Sequence, residues 1–319
     1  MGSTAPVFTP LPPPQQHERL QCRPPLEDSQ EQKRKEIIAY FTKEGYQLPQ
    51  VSEDGALMEQ EKFWLTSDCI LRFLRATKWE VPEAIQRLET TLKWRRDYGL
   101  YTDLTAELVE PEATTGQLVI FGWDAQLNPA LYAFPGRQTS EDIERQLQYH
   151  TFMFERALDL TPPGVETVSV LVNYADRSSG NGSALTSISK TRQIIDILQN
   201  HYPESLGKGY VINIPFFVNV FIKFMLQFVD LVTRQKAVFN SRVVEEGLIE
   251  PDVLMNAHGW GGNVNFEYDH ARYWLSMLNL AQERRSRRME RWRELGAKIG
   301  LDEWDLKGGS SAEADTVDS

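Results

Sequence analysis

Between residues 31 and 110 the apolar side chains recur at helical spacing. Ile37, Ile38, Tyr40 and Phe41 form one cluster, and Ile70, Leu71, Phe73 and Leu74 a second. From Val81 to Tyr98 the stripe Ala84, Ile85, Leu88, Leu92 and Trp94 predicts a helix opened by Pro82, whose missing amide hydrogen a first turn tolerates. After Gly116 the period changes. Short β-rich runs at Leu118–Trp123, Ala130–Phe134, Thr167–Tyr174, Tyr210–Ile214 and Ala237–Phe239 predict strands, and helical patterns near 140–158, 187–200 and 216–232 separate most of them. Such alternation predicts an α/β domain over 111–268, its sheet largely parallel and covered by helices, behind a helical lobe over 31–110. A long polar, basic helix within 269–307 closes the ordered chain.

The segment from Pro215 to Val232 stands apart. Its only polar members are Asn219, Lys223, Gln227 and Asp230, which at about 100° per residue fall within a stripe of about 80°. The rest of the cylinder is apolar and includes Phe216, Phe217, Phe221, Phe224, Met225 and Phe228. A surface helix needs only about a third of its circumference to be apolar, so this one must be covered on nearly every side. It is either a central core helix or a movable wall between the domain and a greasy ligand or bilayer. Beyond it, Asp230, Thr233 and Lys236 recur every three residues, a carboxylate, a hydroxyl and an ammonium that suit either a solvated helix end or a phosphate and polyol headgroup.

Composition narrows the field. Seven of 17 prolines lie in the first 25 residues, so 1–30 is expected to be a flexible arm, and 308–319 a disordered tail. With 45 acidic against 34 basic side chains, a net charge of −11 opposes general nucleic-acid binding. Between 283 and 298, however, seven cationic side chains meet three acidic ones beside Trp292, which suits either a solvated helix or docking on anionic lipid. No apolar stretch approaches the roughly 18 residues of a membrane span, and the N-terminus lacks the pattern of a signal peptide. Cys22 and Cys69 are too few for a disulfide scaffold. A cytoplasmic, monomeric protein with transient membrane contact is expected.

Catalytic and metal motifs are incomplete. Gly180-Asn181-Gly182 lacks a third glycine at Leu185, Gly207-Lys208 lacks the upstream glycine of a phosphate loop, and no Gly-x-Ser-x-Gly elbow occurs. His150, His201, His258 and His270 are scattered and read as packing or surface residues. No metal, cofactor or catalytic residue is expected.

The run from Leu198 to Gly207, LQNHYPESLG, followed by YVINIP from Tyr210 to Pro215, resembles the Tyr-Pro-Glu-Arg-Leu-Gly … Ile-Asn-Ala-Pro signature of the Sec14-like, CRAL-TRIO lipid-transfer family. LRFLRATKW from Leu71 to Trp79 and Lys93-Trp94-Arg95-Arg96 resemble its N-terminal lobe, and FVDLVTRQK from Phe228 to Lys236 the end of its gating helix. Leu131 to Gln138 is most similar to the fungal phosphatidylinositol-transfer branch linked to azole tolerance. The resemblance spans roughly residues 60–270. It implies a helical lobe packed on a domain whose mixed, largely parallel sheet floors an apolar cavity closed by a gating helix. It further implies a lipid headgroup held by Glu204, Thr233 and Lys236, with Asp230 and Lys78 beside them. Thr77 replaces the family's usual arginine. Choline-lipid binders carry two hydroxyl residues on the strand where Val168 and Val170 stand here, so phosphatidylcholine is expected to bind poorly and a sterol is the alternative second ligand. The reading is a non-enzymatic carrier of phosphatidylinositol. Its competitors are a hydrolase or transferase using the same cavity, and a lipid-sensing scaffold.

Overall fold

The structure, a computed structural model, describes residues 5–14, 17–51, 54–175, 188–216, 219–220 and 231–309, apart from the side chains of 188–189, 231–233 and 258. The N-terminal lobe comprises α1 (Asp28–Phe41), α2 (Glu59–Trp64), α3 (Ser67–Ala76) and α4 (Val81–Asp97). Ile37 and Phe41, one turn apart, join Leu65, Ile70, Leu74, Leu88 and Leu92 in its core, while Tyr40 stays exposed. The Thr66 hydroxyl accepts from the Cys69 amide and starts α3; Pro82 sits in the first turn of α4.

α5 (Ala106–Ala113) leads into a five-stranded sheet: β1 (Leu118–Trp123), β2 (Pro129–Ala133), β3 (Val168–Asn173), β4 (Leu206–Ile212) and β5 (Ala237–Phe239), paired in chain order. β1 and β2 are antiparallel and all later pairings parallel, which makes the sheet mixed and largely parallel. α6 (Ile143–Asp159) and α7 (Ile188–His201) are the crossovers that parallel pairing requires. At the bulge in β1, Gly122 has φ +67° and a Cβ there would lie 2.0 Å from the Val253 carbonyl oxygen, so only glycine fits. Buried Asp124 accepts from the Gln126 and Asn128 amides and from the Ser169 hydroxyl, tying the β1–β2 turn to β3. Then follow α8 (Leu231–Lys236), α9 (His270–Glu294) and α10 (Glu303–Leu306).

Two expectations are corrected. The proline-rich arm is docked: Val7 exchanges backbone hydrogen bonds with Asn265 and Glu267, and Arg23 pairs with Asp68 and Asp302 at 2.5 Å each. Proline excludes a helix there, but it does not prevent an extended strand from bonding to a neighbour. On the basic helix some of the charge is met by neighbours, at exposed sites for Arg287 and Arg293. Arg285 pairs with Asp159, Arg293 with Glu59 and Arg287 with Glu283, and Arg288 donates to the Leu158 carbonyl. The predicted tail begins as a packed segment, with Gly308 against Arg291 and Gly309 against Trp304; residues 310–319 lie outside the described residues. Among the described residues no helix is long and apolar enough to cross a membrane.

Candidate functional site: an apolar cavity beside a charged turn

Alternation along β1, β2 and β3 places Leu118, Leu131, Ala133 and Val170 on one face of the sheet, and α6 and α7 cover that face. Between them lies a cavity of about 90 Å³. Leu147 and Phe154 of α6 and Ile194, Ile197 and Leu198 of α7 complete an almost wholly apolar lining. The two valines expected to share it separate. Val170 lines the cavity, whereas Val168 is fully buried at the start of β3, beyond an irregularity in the β3–β4 register.

The lining carries one imidazole. His150 Nδ1 lies 2.7 Å from the Gln146 carbonyl oxygen, which can only accept, so in the neutral ring Nδ1 bears the proton and Nε2 is an acceptor. Burial, with the Lys190 ammonium nearby, pushes the His150 pKa down to about 3. Lys190 is itself buried, donates to Gln146 and Gln138, and is pushed down to about 8 by desolvation. At the end of α7, burial and then the charges of Arg87 and Arg95 lower His201 to about 4, its ring stacked 4.0 Å from Trp94. Unfolded imidazoles protonate near about pH 6.5, so between about pH 4 and 6.5 the unfolded chain binds more protons and stability falls as pH falls. Each ring contributes a slope of up to about 1.4 kcal/mol per pH unit. Urea unfolding at several pH values should show His150→Gln flattening that slope by about one proton; an unchanged slope would contradict a neutral, buried ring.

The turn after α7 is fixed from below. The Tyr202 hydroxyl donates to Glu155 at 2.7 Å, and the same carboxylate receives Arg95 at 2.8 Å. Burial alone would raise the Glu155 pKa, but the Arg95 guanidinium overrides it and holds the carboxyl down at about 2. With Tyr202 anchored, the chain reverses through Glu204 at φ +57° and enters β4. Lys236, the last residue of α8, donates to the Leu206 carbonyl at 2.7 Å and lies 3.7 Å from the Glu204 carboxylate. The fold therefore brings Glu204 and Lys236 together. Lys78 sits in the α3–α4 turn, exposed, and makes no ion pair among the described residues. The Thr77 hydroxyl donates to the Phe73 and Leu74 carbonyls and so caps its own helix.

Of the proposed gating segment, Phe217, Phe221, Phe224, Met225, Phe228 and Asp230 lie outside the described residues, as does the Thr233 side chain. Phe216, expected in the cavity wall, stands instead on the first turn after Pro215 and is 85% exposed, and Val220, one turn on, is 58% exposed. His150, Lys190 and the Arg95–Glu155 pair were not singled out as site residues from the sequence. A signal existed: His150 falls on the stripe Leu147, Thr151, Phe154, Lys190 on the stripe Ile194, Ile197, and Arg95 on the stripe Ala84, Leu88, Leu92.

A model of the CRAL/TRIO domain matches residues 113–261, and one of the CRAL/TRIO N-terminal domain matches residues 33–90. A CRAL-TRIO domain-containing protein of Schizosaccharomyces pombe is 40% identical over 287 residues, spanning 89% of this chain and 28% of that protein. The phosphatidylinositol transfer protein PDR17 of Saccharomyces cerevisiae is 35% identical over 317 residues, spanning 93% of this chain and 89% of that protein. The crystal structure of Sfh5 aligns with a TM-score of 0.53 at 18% identity, over 83% of this chain and 99% of that one, a likeness of fold.

Proposed function

The chain belongs to the CRAL/TRIO domain family, and from that premise we propose that it is a non-enzymatic carrier that binds phosphatidylinositol and exchanges it between membranes. The observation that carries this reading is the apolar cavity between the sheet, α6 and α7, beside the turn that holds Glu204 against Lys236. Acyl chains occupy the former. A phosphate and polyol headgroup suits the latter, with the ammonium as counter-charge and the carboxylate accepting from ring hydroxyls.

Burying one methylene is worth about 0.8 kcal/mol, so withdrawing two long chains into water costs on the order of 20 kcal/mol. A carrier therefore needs a protected passage more than a catalyst. At about 90 Å³ the cavity takes only a short stretch of chain, so loading requires its wall to move outward. A membrane supplies the bias for that movement if it solvates the open form better than water does. Phe216 and Val220, exposed one turn apart at the start of the proposed gate, provide apolar surface for such contact.

A finer proposal concerns the second ligand. Val170 offers a phosphate no donor, whereas His150 Nε2 offers a hydroxyl an acceptor. That chemistry favours an apolar lipid with a single hydroxyl, such as a sterol, over phosphatidylcholine. Mass spectrometry of lipids retained by the protein purified from a eukaryotic host should find phosphatidylinositol, with a hydroxyl-bearing apolar lipid as the lesser species. Recovery of no amphiphile would refute the carrier reading.

A further inference from the structure

We propose that the cleft between α9, the segment following α6 and the end of α10 is a second binding site, for a phosphate-bearing anion. It does not depend on the lipid reading, because the cleft and the apolar cavity share no lining residue.

The helical period brings Arg284, Arg287, Arg288 and Arg291 to one face of α9, and Lys307 closes the cleft from the opposite side. The volume is about 120 Å³. Five cationic side chains line it against one carboxylate, Glu283, in a chain whose net charge is −11.

How these charges are engaged distinguishes the cleft from a solvated helix face. Arg287 pairs with Glu283 at the exposed rim, and Lys307 with Glu303 at 2.7 Å. Arg284 donates to the Pro13 carbonyl at 2.9 Å, and Arg288 to the Leu158 carbonyl at 3.2 Å. Such bonds orient a guanidinium without cancelling its charge. The Arg291 guanidinium makes no hydrogen bond or ion pair among the described residues. It lies across Gly308, where φ is +89° and a Cβ would come within 2.2 Å of its Nη1. The protein thus gathers five cations in one cleft, two of them in ion pairs and Arg291 in none among the described residues. Burial, then the neighbouring charges of Arg288 and Arg287, push the Arg284 pKa down to about 10, and burial lowers that of Arg288 too. A bound anion relieves both effects.

The donor set selects the anion. Guanidinium forks bind oxyanions through paired, parallel hydrogen bonds. A phosphate group presents enough oxygens to meet several forks at once, whereas a carboxylate presents two. The Thr161 hydroxyl already donates to the Leu158 carbonyl and adds no donor.

Inorganic pyrophosphate is the probe. In thermal unfolding of the full chain, it should raise the midpoint by several degrees over sodium chloride of equal ionic strength. Arg291→Glu should abolish the rise. Arg287→Gln, at the exposed rim, should weaken binding several-fold and provides the test should the first variant not fold. Sedimentation with phosphatidylcholine vesicles containing phosphatidic acid separates the two sources of such a group. If a lipid headgroup is the natural occupant, the protein sediments and pyrophosphate releases it; if a soluble phosphate is, the protein remains in solution while the midpoint still rises. No rise beyond chloride, or an equal rise in the variants, overturns the proposal. Retained lipid should be unchanged in both variants, so a failure here is distinguishable from a failure of the carrier reading.

Discussion

Arg95→Met should destabilise the protein by about 3–5 kcal/mol, the usual consequence of stranding a buried partner charge. The guanidinium is 2% exposed, donates to Glu155 and to the Tyr101 hydroxyl, and lies 4.9 Å from the Trp64 ring. Removing it leaves Glu155 inside the protein with the Tyr202 hydroxyl as its remaining close donor. The loss is expected to spread to function, because this carboxylate anchors the turn that presents Glu204. Adding Glu155→Gln removes the stranded charge and should recover part of the stability, a positive coupling that denaturant unfolding of the single and double variants measures. A cost below about 1 kcal/mol for Arg95→Met would mean the pair is effectively solvated.

Val170→Trp should lower extraction of phosphatidylinositol from vesicles by more than about tenfold while costing no more than about 1–3 kcal/mol of stability. The larger side chain projects from β3 into a space of about 90 Å³, which it fills at the expense of an acyl chain. Because Val170 is only partly buried, the indole has somewhere to go without displacing the sheet. Extraction at the parental level would show that the chains lie elsewhere.

Much of this architecture is legible from hydrophobic period alone. β1 and β5 occupy the expected residues, and α4 follows its stripe from Val81. β4 begins earlier than its side chains suggest, at Leu206, because Leu206 and Gly209 pair with Val168 and Val170 across a register irregularity, and the Gly207-Lys208-Gly209 run brings no apolar pattern with it. The docked arm was hidden for a related reason: Val7 is held by its amide and carbonyl, which composition does not report. The site divides along similar lines. Glu204 and Lys236 meet only through the return of the chain along β4 and β5, a juxtaposition no local spacing encodes; the three-residue spacing with Asp230 and Thr233 marks Lys236, and family resemblance alone marks Glu204. His150, Lys190 and Arg95 were visible as polar residues on apolar stripes. What the stripe does not report is the environment of each, because burial of a charged or titratable group depends on partners from distant elements.

The most direct test is phosphatidylinositol transfer between vesicles by the paired variant Lys236→Ala and Thr233→Ala, with unfolding followed in parallel. If Lys236 at the turn holds the headgroup, transfer falls by about tenfold or more while the unfolding midpoint stays close to the parent's. Transfer at the parental rate by a fully folded variant would contradict the headgroup site, and with it the route by which the lipid enters.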